Sequence, residues 1–116
     1  MNKDNFTISM QELGNFNTMR QARSLHESKG LLFFSKGAKS FFSSRISECI
    51  YGRCVFVTSE KFGWKHPRLY TIRYIDTNGN INTYNDFQGY ETRSSAHHHA
   101  KKLGEWITNT REEEKV

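Results

Sequence analysis

One proline, two cysteines and no apolar run longer than Leu31-Leu32-Phe33-Phe34 set the first bounds on this 116-residue chain. A four-residue run is far short of the roughly 20 residues that span a bilayer, so no membrane segment is expected. Two cysteines, Cys49 and Cys54, fall short of the dense frameworks that staple small secreted domains, and no second pair of ligands completes a zinc knuckle. They are expected as a buried, reduced pair. The opening residues MNKDNFTISMQEL lack the apolar core of a signal peptide. The expected location is therefore cytoplasmic, in a host cell if the chain is phage-encoded. No glycine-rich phosphate loop is present, since Gly30 and Gly37 stand alone. Adjacent carboxylates occur only at Glu112-Glu113-Glu114, and no strand-to-helix nucleophile elbow is visible. These gaps argue against an enzyme and against a cofactor.

The run His97-His98-His99 does not make a metal site. Successive helical side chains point roughly 100° apart, and the partner position for a helical pair, four residues after His97, is Lys101. A packed His99 with two solvated neighbours is the expectation.

What the chain does have is aromatic bulk and uneven positive charge. Aromatics make up 14% of residues, nine of them Phe, enough to build one modest core despite a low aliphatic content. The net charge is +5, and residues 20–53 carry it. There Arg20, Arg23, Lys29, Lys36, Lys39, Arg45 and Arg53 face only Glu27 and Glu48. Such a region suits an anionic partner: nucleic acid, an anionic nucleotide or an acidic protein surface. It equally suits a solvated basic face with no specific partner.

The chain reads as one domain. Residues 1–16 form a polar N-terminal arm, packed on the body or loose, with Phe6, Ile8, Met10, Leu13 and Phe16 scattered through it. Residues 17–109 form an α+β domain, and residues 110–116 a charged, frayed tail. Asn17 or Thr18 can cap a helix to about Lys29, with Met19, Ala22 and Leu25 or His26 on one face and Gly30 as its stop. Leu31–Phe34 fits either a strand or a buried connector. A second helix is expected from Ser35 or Ser40, with Ala38, Phe42, Ile46 and Cys49 as its stripe and Gly52 as its stop. Three strands follow at 54–60, 69–76 and 81–87. Asn78-Gly79 marks the turn between the last two. In the middle strand Leu69, Thr71, Arg73 and Ile75 share one face, and Tyr70, Ile72, Tyr74 and Asp76 the other. Thr92 caps a final helix whose stripe is Ala96, Ala100, Leu103 and Ile107. The expected fold is a three-stranded antiparallel β-meander packed against helices on one face, in the order α-α-β-β-β-α, leaving an open sheet face.

From about residue 38 to 109 this order resembles a double-stranded RNA-binding domain, and ETRSSAHHHAKKL is similar to the start of that family's last helix. There the family grips phosphates with a lysine cluster. Arg93 matches it, whereas Ser94 and His97 stand where lysines would be, and Lys101 and Lys102 come a turn later. Three strands and a helix also resemble sheet-type DNA readers of the plant transcription-factor and integrase-arm kind, which would send Thr71 and Arg73 into a groove. The phrases FFSSRISECIYGRCVFVTSEKF, RLYTIRYID and DFQGYETRSSAHHHAKKL, within residues 31–103, resemble small uncharacterised bacteriophage-encoded proteins. That resemblance implies host takeover or inhibition of bacterial defences such as CRISPR systems, by stoichiometric binding.

The resulting expectation is a non-enzymatic phage-type protein, monomeric or a small homo-oligomer. It would inhibit or redirect a host protein or nucleoprotein complex through Lys36, Lys39, Arg45, Arg53, Trp64, Arg68, Tyr70 and Arg73. Aromatic and Arg residues would serve as anchors and Lys as steering charge. Two alternatives are a duplex nucleic-acid binder using the sheet face, and a sponge for an anionic nucleotide signal.

Overall fold

A computed structural model describes residues 9–41 and 43–114. The elements, in chain order, are a 3-10 turn at Met10–Glu12, helices α1 (Met19–Ser28) and α2 (Lys36–Phe41), strands β1 (Arg45–Ile46), β2 (Val55–Glu60), β3 (Leu69–Ile75) and β4 (Ile81–Tyr84), and helix α3 (Arg93–Glu114). The fold is α+β. Its sheet is antiparallel, with strands in the order β1-β2-β3-β4.

The fourth strand lies where a helix was expected. α2 ends after six residues because Ser43 enters the left-handed region at φ 49 and the Ser44 N–H returns to the Lys39 carbonyl at 2.7 Å. This pattern closes a helix and reverses the chain. Arg45 and Ile46 then extend against Ser59 and Thr58 of β2. The expected stripe through Ile46 and Cys49 is therefore not helical, and its Phe42 lies outside the described residues. The order helix, three strands, helix that carried the RNA-binding resemblance is accordingly not the observed one.

Other boundaries follow the sequence. The Thr18 hydroxyl accepts the Gln21 N–H to open α1, and Gly30 takes φ 75 just past its end. Between β3 and β4, the Asp76 carboxylate accepts the N–H groups of Asn78 and Asn80, each at 2.9 Å, and Gly79 adopts φ 85. A side chain that bonds its own turn, followed by a left-handed glycine, is a standard way to close such a loop. β4 stops at Tyr84, short of the expected 87, where Asn85 turns to φ 59.

Both sheet faces are covered, so the expected one-sided arrangement does not hold. On one face Val55, Val57, Ile72 and Tyr74 pack with Ala96, Ala100, Leu103 and Ile107 of α3, each of those four fully buried. Small residues at 96 and 100 let the helix lie close, while Leu103 and Ile107 each contribute about 1.5–3 kcal/mol by leaving water. On the opposite face Phe56 packs with Met19 of α1 and with Phe34. Phe33 and Phe34 thus belong to a buried connector, not a strand. His26 ties α1 to the β3–β4 turn: its Nδ1 lies 2.6 Å from the Gly79 carbonyl and its Nε2 accepts the Phe33 N–H at 2.9 Å.

The described parts of the expected arm and tail, residues 9–16 and 110–114, are joined to the body. Leu13 is buried and bridges to Asp76, and the Gly14 N–H bonds the Ile75 carbonyl. Phe6 and Ile8 lie outside the described residues. α3 continues through the expected tail to Glu114, so a boundary at 109 falls inside a helix. Arg111 holds that last stretch by donating to the carbonyls of Gly52, Leu13 and Gly14. Cys54 is buried and Cys49 exposed, both as free thiols, which corrects the expectation of a buried pair. Burial pushes the Cys54 thiol up to about 12. No helix among the described residues is long and apolar enough to cross a membrane.

Candidate anion-binding edge

The left-handed turn that ends α2 is also what assembles the basic surface. It places Lys36 and Lys39 of α2 beside Arg45 of β1. Arg68, from the loop before β3, completes the group by donating to the Ser43 carbonyl and to the Ser59 hydroxyl, both at 2.9 Å. These four cations, with Ser40, Ser43 and Ser44, line a shallow groove of about 450 Å³. The bonds to Arg68 leave its charge in place but fix its position, so it is a pre-set anchor rather than a searching side chain.

Arg45 and Arg68 also border a second, inner cleft of about 300 Å³. Its walls add Ser47, Ser59 and Tyr70 from the sheet side, and Arg93 and His97 from the first turns of α3. Ile46, Val57 and Thr58 make up the rest of the lining. Among the described residues, no carboxylate lines either depression.

His97 is the partly packed histidine of the run, and His98 and His99 are exposed. This corrects the expectation that His99 is the packed one. The Tyr51 hydroxyl lies 2.8 Å from His97 Nδ1. Desolvation, then the Arg93 charge, lowers the His97 pKa, while burial above all raises that of Tyr51. Both shifts favour the neutral pair. No group of three or more His, Cys, Asp or Glu that could hold a metal ion occurs among the described residues.

Five of the eight residues singled out from the sequence therefore meet: Lys36, Lys39, Arg45, Arg68 and Tyr70. Trp64 sits on the loop that leads to Arg68 and is 84% exposed, with Lys65 Nζ 5.1 Å from its ring centroid. Two do not belong to the surface formed. Arg53 lies beyond the other end of β2, where its guanidinium donates to Asn17 Oδ1 and it lines a separate depression with Arg111.

Arg73 is interior. Its side chain is 12% exposed and pairs with Glu60 at 3.4 Å, with further bonds to the Thr58 and Thr83 hydroxyls. Thr71 is fully buried and donates to Glu60. A groove reader needs these strand side chains in solvent, so the open sheet face expected from the sequence does not exist at these positions. The residues missed were Arg93 and His97 as members of a cleft. Arg93 stood out only through its place in the RNA-binding resemblance, and nothing local marks either residue as a neighbour of Arg45.

No characterised protein and no solved structure matches this sequence. A family of unknown function, DUF7447, matches residues 7–101, a span that takes in all four strands and the α3 turns bearing Arg93 and His97. The chain belongs to that family.

Proposed function

We propose that this chain is a non-catalytic, phage-type binding protein that captures an acidic host protein or nucleoprotein through its basic edge and thereby inhibits or redirects it. The observation that carries this reading is the convergence of Lys36, Lys39, Arg45 and Arg68, from three elements, on one groove that no carboxylate lines among the described residues. Like charges gather at a cost in self-repulsion, which an anionic partner relieves. Phe41, 77% exposed at the end of α2, and the exposed Trp64 add apolar anchors beside the charge. Buried aromatic anchors within a charged rim are the usual anatomy of a protein interface.

The test is affinity purification of the tagged chain from bacterial lysate, with and without nuclease, alongside a Lys36→Ala/Lys39→Ala variant. The expected result is one nuclease-resistant protein that is retained by the parent chain, released by salt and lost with the variant. Recovery of nucleic acid alone, or of a partner indifferent to the variant, overturns the reading.

A further inference from the structure

The inner cleft has a chemistry narrower than the edge around it. Its three arginines come from three separate elements: Arg45 from the edge strand, Arg68 from the loop before β3, and Arg93 from the first position of α3. Arg68 is pinned by the Ser43 carbonyl and the Ser59 hydroxyl, so one wall is rigid before anything binds. Thr92 caps α3 by accepting the Ser95 N–H at 3.1 Å, which fixes the turn that carries Arg93 and His97. Between these cations lie hydroxyls of Ser47, Ser59 and Tyr70, and the apolar side chains of Ile46 and Val57.

We propose that this cleft binds a phosphomonoester carried on a small organic group, of the size of a nucleoside 5′-monophosphate. Arginine forks match the oxygens of a phosphate in pairs, and hydroxyls complete its shell. A volume of about 300 Å³ stands at the lower end of small-molecule sites, sufficient for one phosphate and part of a ring against Ile46, Val57 and the Tyr70 ring. That no carboxylate lines the cleft among the described residues matters here, because an acidic neighbour would occupy the arginines and repel the dianion. Desolvation first, and the Arg93 charge second, lower the His97 pKa, so the imidazole adds a neutral polar wall to the cleft.

This site does not depend on the macromolecular partner proposed above. The outer groove and the inner cleft share Arg45 and Arg68, but of the two Lys36 and Lys39 line the groove and not the cleft, and Arg93 and His97 the cleft and not the groove. Two variants therefore separate the ideas.

The experiment is titration calorimetry and thermal melting of the full chain with a nucleoside 5′-monophosphate, a sugar phosphate, inorganic phosphate and the unphosphorylated nucleoside. The nucleotide should bind and raise Tm with concentration, and the nucleoside should not. Binding of the sugar phosphate as well supports a phosphomonoester site, and its affinity relative to the nucleotide tells which organic group the cleft favours. Arg93→Ala should weaken nucleotide binding by about tenfold or more, the worth of one charge-assisted hydrogen bond. Lys36→Ala/Lys39→Ala should leave it within about twofold, although the same variant is expected to lose the protein partner. The proposal is overturned if neither phosphomonoester binds at millimolar concentration, if the nucleoside binds as well as its phosphate, or if Arg93→Ala binds like the parent chain. Arg93 is exposed, so its replacement tests the site without threatening the fold.

Discussion

Arg73 Nη2 lies 3.4 Å from Glu60 Oε2, and the two side chains retain only 12% and 2% of their exposure. The guanidinium carbon also sits 5.4 Å from the Phe33 ring centroid and 5.3 Å from that of Phe87. Around the carboxylate, Thr58 and Thr71 donate at 2.7 and 2.9 Å. The Gln88 N–H donates to the Thr71 hydroxyl, and the Gln88 side chain to the Glu60 carbonyl. Arg73 is thus the centre of a packed polar layer joining β2, β3, β4 and the 85–90 loop. Burial lowers its pKa and the Glu60 charge opposes that shift.

The pair should therefore matter to stability and not to partner capture. Breaking a buried pair strands a charge at about 3–5 kcal/mol, whereas replacing both partners by apolar groups is far milder. Arg73→Met is expected to lower the unfolding free energy measured in urea by that amount. Adding Glu60→Leu should recover part of the loss, the remainder being the threonine hydroxyls left without an acceptor. A cost below about 1 kcal/mol for Arg73→Met, together with lost partner capture, would instead make Arg73 a surface contact.

A second relationship reverses an ordinary helix rule. Gly104 lies inside α3, where glycine usually costs about 1 kcal/mol relative to alanine. Here it faces Gly52, which turns at φ 56. A methyl group on Gly104 would come within 2.6 Å of the Gly52 nitrogen and 2.7 Å of the Tyr51 side chain. Gly104→Ala should thus destabilise by about 1–3 kcal/mol, the usual range for overpacking, although it improves helix propensity. Denaturant unfolding of this variant decides the sign. A stabilised Gly104→Ala would mean that α3 can withdraw from the Tyr51–Gly52 turn at little cost.

These two cases show where the sequence was readable. α3 declared itself through its Thr92 cap and the spacing of Ala96, Ala100, Leu103 and Ile107, and the β3–β4 turn through Asp76 and Gly79. Each is a local rule with a local cause. The alternation of β3 correctly grouped Arg73 with Thr71. Whether that face met water depended on Phe33 from a distant segment and Phe87 from the next loop, and no short-range pattern carries such information. β1 was hidden because the residue that turns left-handed before it is Ser43 rather than glycine. The inner cleft was hidden for the same reason as the Arg73 layer: Arg45, Arg68 and Arg93 are brought together by the sheet edge and α3, not by their spacing.

The Tyr51–His97 contact gives a pH-dependent prediction with a definite sign. The folded pKa of His97 lies below its ordinary 6.5, through desolvation first and the Arg93 charge second. Between those two values the unfolded chain binds more protons than the folded one, so stability falls with falling pH. The contribution is complete above about pH 6.5 and is lost as the pH drops through the lower folded value, where the ring must charge beside Arg93. Melting temperatures recorded from neutral to mildly acidic pH should decline more steeply for the parent chain than for His97→Gln. Parallel curves would show that the imidazole charges freely in the fold.

Trp64 supplies the cleanest separation of binding from folding. Its ring is 84% exposed, and Lys65 Nζ lies 5.1 Å from its centroid. An exposed side chain of this kind contributes within about 0.5 kcal/mol of nothing to stability. Seated in a partner's pocket, a tryptophan is commonly worth about 2 kcal/mol or more. Trp64→Ala should accordingly leave the urea midpoint unchanged and reduce affinity for the proposed protein partner by about thirtyfold. It should leave nucleotide binding in the inner cleft untouched, because Trp64 does not line it. Comparing partner retention and nucleotide titration on this one variant therefore assigns the ring to the outer interface. Equal partner affinity for Trp64→Ala and the parent chain would confine the interface to the charged groove between α2 and Arg68.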